Sequence, residues 1–266
     1  MKKLLSSLIV MLLLVGCSAK PVEDSVLNVG VSFFPMKDIL ILIEDDLKEA
    51  GIELKIHEFA DYQTPNNLLK EKELDANMIQ HKYFLEAFNT ANDADLEVVL
   101  PIYHATFALY SQDYENLDEI PEGSSITLPD DATNLSRALY LLDQAGLIEL
   151  DKTTPASVTV DDIVSNPKSL KFDDLVPLTS LAQRYTETKL AVMYPTYAKS
   201  LELVGDAERL YVEKQDAVTE DFAISLVARD DNAKDAKIEK LIELIKQDKV
   251  RDFLIKEYSW ASKPAF

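Results

Sequence analysis

Arg137 and His81 are the side chains whose types and settings point most directly to chemistry. Arg137 stands in "TNLSRALYLL", where the spacing predicts the first turn of a helix. Helix N-terminal N–H groups and a guanidinium aimed at one place make a site for an anion. A carboxylate taken into a closed cleft needs such a pairing, because desolvating it alone is costly. The same spacing fits an arginine on the outer face of an amphipathic helix, and spacing alone leaves both readings open. His81, in "IQHKYF", falls at a strand-to-helix boundary between Gln80 and the aromatic pair Tyr83 and Phe84. It reads either as a ligand donor at a cleft or as a capping histidine.

Cys17 is the one cysteine of the 266-residue chain, so it has no partner for an internal disulfide. A catalytic thiol needs a His or Asn oriented beside it by a fold, and Cys17 lies too near the N-terminus for that. What precedes it is Met1-Lys2-Lys3 and then an apolar run from Leu4 to Val15, broken only by Ser6 and Ser7. That run has the size of a signal-peptide core and falls short of the roughly 20 residues a membrane-spanning helix needs. It closes as Leu14-Val15-Gly16-Cys17, which resembles the bacterial lipobox. The resemblance implies cleavage after a signal peptide of residues 1–16, lipid on the Cys17 sulfur and an acyl chain such as palmitate on the new amino terminus. Several chains on one residue anchor a protein stably, whereas a single chain does so marginally. The alternative is an ordinary signal peptide with an incidental cysteine. Residues 17–26, polar and Pro-bearing, read as a flexible tether.

Enzyme signatures are missing. The chain holds no G-x-S-x-G elbow, no P-loop and no G-x-G-x-x-G, and it has six glycines in all. His57, His81 and His104 lack metal-ligand spacing, and runs such as Asp130-Asp131 read as solvated faces. The expectation is therefore no catalysis, no cofactor and no metal. A formal charge of −20, more negative once Lys2 and Lys3 leave, argues against nucleic acid and against polybasic contact with lipid. An apolar content of 47% supports a packed core.

The elements that must position these residues alternate. "VLNVGVSFF" reads as a buried strand, "KDILILIEDDLKEAG" as a helix closed by Gly51, and "IELKIHEF" as a second strand. Strand, helix and strand at these lengths make a βαβ unit and predict a parallel sheet with helices on its faces. A second set starts at "SSITLPD" and continues into the Arg137 helix, with Thr133 or Asn134 as its cap and Gly146 at its end. The expectation is an α/β protein of two lobes. Lobe 1 takes residues 27–108 with 224–266 returning to it, and lobe 2 takes residues 109–223. Clefts of α/β folds lie outside the strand C-termini, and those ends hold "GVSFFP", "FADYQTP", "NMIQHKY", "LPDDATN" and "VMYPTY".

Several of these segments carry a wider likeness. "FADYQTPN", "ELDANMIQHKYFL", "LPDDATNLSRALYLLDQAGLIEL", "VDDIVSNPKSLKF" and the closing "KPAF" look like the methionine-binding lipoprotein (NLPA) family, in the same order from about Leu27 to Phe266. The resemblance implies a two-lobed, type II-like periplasmic-binding-protein fold that closes on its ligand about a hinge. It implies a substrate-binding protein of an ABC importer, working with a permease and an ATPase. The protein is then expected outside the cytoplasm, a monomer held to the cell membrane only by lipid on Cys17. It also assigns ligand contacts to Tyr62, His81 and Arg137, with Arg137 gripping an amino-acid carboxylate, and Ile79, Phe84, Thr133 and Asn134 in the same segments are expected to line the ligand site beside them. Tyr194 and Ile224 stand where the family has two Asn that help hold the ligand's ammonium group, and Met78-Ile79 where it has Phe-Phe. The implied ligand is methionine or a related carboxylate-bearing amino-acid derivative. The rival reading is an adhesin-like surface interaction protein on the same fold with a diverged cleft.

Overall fold

The computed structural model describes residues 25–151 and 157–266. The signal segment, Cys17 and nearly all of the tether lie outside the described residues. Strand β1 (Val26–Val31) is followed by α1 (Met36–Glu49) and β2 (Glu53–Glu58). Helix α1 buries Met36, Ile39, Leu40, Ile43 and Leu47, the stripe its apolar spacing predicts. It ends at Gly51, whose φ of +80° is the left-handed conformation glycine adopts without steric cost. Helix α2 (Thr64–Lys70), β3 (Ala76–Gln80), α3 (Lys82–Asn92) and β4 (Leu96–Ala105) complete the first run.

The chain then crosses into a second lobe. That lobe holds β5 (Ala108–Ser111), β6 (Leu128–Pro129), α4 (Ala132–Gln144), β7 (Glu149–Leu150), β8 (Ile163–Ser165) and β9 (Leu175–Val176). Next come α5 (Leu181–Thr188), β10 (Leu190–Met193), α6 (Pro195–Ser200) and β11 (Arg209–Val212). Its sheet has the order β10-β5-β11, with both neighbours antiparallel to β5. The return brings β12 (Ile224–Arg229), α7 (Ala236–Ile245), α8 (Asp248–Tyr258) and β13 (Ser262–Pro264) to the first lobe. No helix among the described residues is long and apolar enough to cross a membrane.

The first-lobe sheet has the order β13-β4-β12-β3-β1-β2. It is mixed rather than parallel as expected. Strands β2, β1 and β3 pair in parallel, as βαβ connections require. Strand β12 runs antiparallel to both β3 and β4, and β13 runs antiparallel to β4. The reason is the path of the chain. Strand β4 leaves its sheet at the end facing the second lobe, and the chain re-enters at that same end, so β12 must run backwards.

The Arg137 helix also differs from its expected start. It begins at Ala132, and its cap is Asp131, whose Oδ1 accepts the Asn134 N–H at 3.0 Å. Thr133 and Asn134 therefore lie inside the helix, and Arg137 falls in its second turn rather than its first.

Candidate functional site

The C-terminal ends of β1 and β3, the start of β12, the start of α4 and the junction of β10 with α6 converge between the lobes. They enclose a cleft of about 540 Å³, part of it open to solvent. All five strand-end segments singled out in the sequence contribute to its walls. Phe33, Phe34, Tyr62 and Phe84 supply aromatic faces, together with Tyr103 and Tyr194. Met36, Ile79, Leu178 and Ile224 add aliphatic surface, and Gln80, His81, Asn134 and Thr196 are the other polar members. Among the described residues no Asp, Glu, Lys or Arg side chain lines it.

His81 caps α3, one of the two roles its position suggested, and its side chain lines the cleft. Its Nδ1 accepts the Phe84 N–H at 3.2 Å, so the neutral ring carries its proton on Nε2. That nitrogen lies 3.3 Å from Asn134 Oδ1, to which it donates. His81 is 2% exposed. Burial, and after it the charge of Arg137, pushes its pKa down to about 3, so the ring is neutral at physiological pH. Asn134 is fully engaged. Its Nδ2 donates to both oxygens of Asp131, and its Oδ1 also accepts the Tyr194 hydroxyl at 2.6 Å.

Arg137 lies one layer behind the wall and does not line the cleft. Its Nε and Nη2 make a bidentate pair with Glu213 at 2.8 and 2.6 Å, Nη2 also reaches the Ala105 carbonyl, and Nη1 donates to the Tyr194 hydroxyl at 3.0 Å. The two charged side chains are 1% and 4% exposed. The guanidinium carbon stands 4.9 Å from the Phe107 ring, 5.2 Å from Tyr194 and 4.8 Å from Phe222, a cationic group packed among three rings. Burial works against its charge, but Glu213 and Tyr194 outweigh burial and hold it protonated. Asp131, Asn134, Tyr194, Arg137 and Glu213 thus form one chain of hydrogen bonds with the Tyr194 hydroxyl at its centre.

Of the residues the sequence pointed to, Tyr62, Ile79, His81, Phe84, Asn134, Tyr194 and Ile224 come together on the cleft walls. Arg137 and Thr133 stand outside, Thr133 turned into the helix cap with its hydroxyl on Asp131 Oδ1. Met78 is fully buried in the first-lobe core, so of the Met78-Ile79 pair only Ile79 faces the cleft. Tyr103, Thr196 and Glu213 were not foreseen as part of this region. Thr196 stands two residues after Tyr194 in "VMYPTY", a usable signal, whereas nothing in "YVEKQD" distinguishes Glu213 from the chain's many solvated carboxylates. Among the described residues no group of three or more His, Cys, Asp or Glu is placed to hold a metal ion.

The sequence profile of the NlpA lipoprotein family matches residues 27–266. The methionine-binding lipoprotein MetQ of Bacillus subtilis is 33% identical over 233 residues, 86% of this chain and 84% of that protein. The D-methionine-binding lipoprotein MetQ of Escherichia coli is 30% identical over 246 residues, 92% of this chain and 90% of its own. Among solved structures, a Burkholderia cenocepacia nutrient-binding protein bound to methionine superposes with a TM-score of 0.83 at 26% identity, covering 90% of this chain and all of its own.

Proposed function

The chain belongs to the NlpA lipoprotein family, and on that premise we propose that it is the substrate-binding protein of an ABC importer of the methionine class. It takes methionine or an amino-acid derivative of the same kind between its lobes and delivers it to a permease driven by an ATPase. The observation that carries this is the interlobe cleft itself, where Phe33, Phe34, Tyr62 and Phe84 present ring faces beside Met36. Aromatic faces of this kind suit a thioether tail. Among the described residues no carboxylate or ammonium side chain lines the cleft, and the relatives are named as methionine-binding lipoproteins. We place the protein outside the cytoplasm as a monomer, tethered to the membrane by lipid on Cys17.

Native mass spectrometry of protein purified without refolding tests the reading. A mass increment matching a methionine-type solute, exchangeable against added methionine or its derivatives, is the expected result. A protein that carries no solute and takes up none of them would return the adhesin-like alternative.

A further inference from the structure

We propose that the cleft selects a methionine-type ligand whose charged head is masked, an N-acylated residue with its carboxyl in amide linkage, and that Tyr194 sets this preference. The inference rests on the importer reading and narrows its ligand. A free amino acid brings an ammonium and a carboxylate into the closed space, and each needs a partner of opposite charge or several directed hydrogen bonds once water is expelled. No charged side chain among the described residues lines the walls. Gln80 is occupied by Asn66 and Asn77, and Asn134 by Asp131, Tyr194 and His81. Among the described residues the buried cation in reach is Arg137, and it is neutralised by a bidentate carboxylate of the protein itself.

The Tyr194 hydroxyl holds the remaining position. It receives a hydrogen bond from Arg137 at 3.0 Å and gives one to Asn134 at 2.6 Å. That is the place between a guanidinium and an amide where a ligand's polar head would otherwise meet both. What stays free is a different kind of group. The Tyr103 side chain is 3% exposed and lines the cleft, and its hydroxyl has no hydrogen-bond partner among the described residues. Thr196 also lines the cleft with an uncommitted hydroxyl. A hydroxyl donates one bond to a carbonyl oxygen and accepts one from an amide N–H. Two such groups match an amide-bearing ligand and neutralise neither charge of a zwitterion.

Four probes with one side chain separate the contributions: L-methionine, N-acetyl-L-methionine, L-methioninamide and N-acetyl-L-methioninamide, titrated by calorimetry into the full-length protein. The expected order places N-acetyl-L-methioninamide at least 100-fold tighter than L-methionine, with the two singly masked probes between them. L-methionine binding as tightly as the doubly masked probe overturns the inference and leaves the importer reading standing. Absence of binding by all four takes down the methionine-class reading and this inference with it. Tyr194→Ala frees Arg137 Nη1 and the Asn134 carbonyl, and should improve N-acetyl-L-methionine relative to its amide by about tenfold. Tyr194→Phe keeps the ring that packs 4.6 Å from Phe107 and guards against a folding defect. It should shift the same ratio in the same direction by less. An unchanged ratio in both variants removes Tyr194 from the specificity of the site.

Discussion

The hydroxyls of Tyr62 and Tyr197 lie 2.6 Å apart and belong to opposite lobes. Tyr62 follows β2 in the first lobe and Tyr197 rides on α6 in the second, with the Phe33 ring 5.1 Å from one and 5.8 Å from the other. Two further contacts span the same gap, His81 with Asn134 at 3.3 Å and the Lys199 ammonium over the Phe34 ring at 4.2 Å. The lobes are therefore closed on each other, and part of the closing free energy resides in groups that also wall the cleft.

Removing either hydroxyl removes the Tyr62–Tyr197 bond. A net hydrogen bond is worth about 1 kcal/mol, or about fivefold in an equilibrium constant. Tyr62→Phe and Tyr197→Phe should each weaken ligand binding by roughly that factor, mainly through faster release measured by stopped flow. The double variant should be little worse than either single one, since both delete the same contact. Fully additive losses would show that the two hydroxyls act independently.

Glu213 is predicted to matter for folding as well as for binding. Glu213→Ala leaves Arg137 buried without its counter-charge, and breaking a buried pair from one side costs about 3–5 kcal/mol. The urea midpoint should fall sharply. Replacing both partners, Arg137→Met with Glu213→Leu, should cost less than Glu213→Ala alone, because no charge is stranded. A double variant less stable than the single one would mean that the ion pair stabilises the fold beyond what apolar packing supplies.

The residues that were legible in the sequence share a cause. Periodicity is a local signal, so α1 and α4 showed through their apolar stripes, and strand ends followed from where those stripes begin. That is why all five strand-end segments reach the cleft. Strand β13, three residues with no apolar run, and the reversed insertion of β12 between β3 and β4 are products of long-range pairing and leave no local pattern. Tyr103 was hidden for the same reason. It lies inside a ten-residue strand, paired with Ile224 of β12 on one side and Pro264 of β13 on the other, and both partners come from the far end of the sequence. Arg137 was visible by type, but its neutralisation depends on Glu213, 76 residues away.

Cys17 gives a prediction about place rather than fold. Cys17→Ser should abolish lipid attachment and move the protein from the membrane fraction to the soluble one, because the described residues contain no helix able to span a bilayer. Fractionation after a high-salt wash reads this directly. Persistent membrane association of the variant would sink the lipobox reading.

His81 makes stability fall in acid. In the unfolded chain its ring takes up a proton near pH 6.5, whereas in the folded protein burial and Arg137 delay that step to about pH 3. Between those values the unfolded state holds more protons, so stability declines as pH falls, with a slope of at most about 1.4 kcal/mol per pH unit. Above pH 6.5 neither state is protonated at His81 and its contribution is flat; below about pH 3 both are, and the loss levels off. His104 is lowered in the same direction by burial and by Arg137, so the whole-protein profile contains more than one group. His81→Asn isolates the term. Asparagine still offers an oxygen to the Phe84 N–H at the start of α3 but does not titrate. Urea unfolding from pH 7 to pH 4 should therefore show a gap between the two proteins that shifts in the variant's favour with each step toward acid. Parallel curves across that range would mean that His81 takes up its proton at the same pH folded as unfolded, so that burial and Arg137 do not hold the ring neutral in acid.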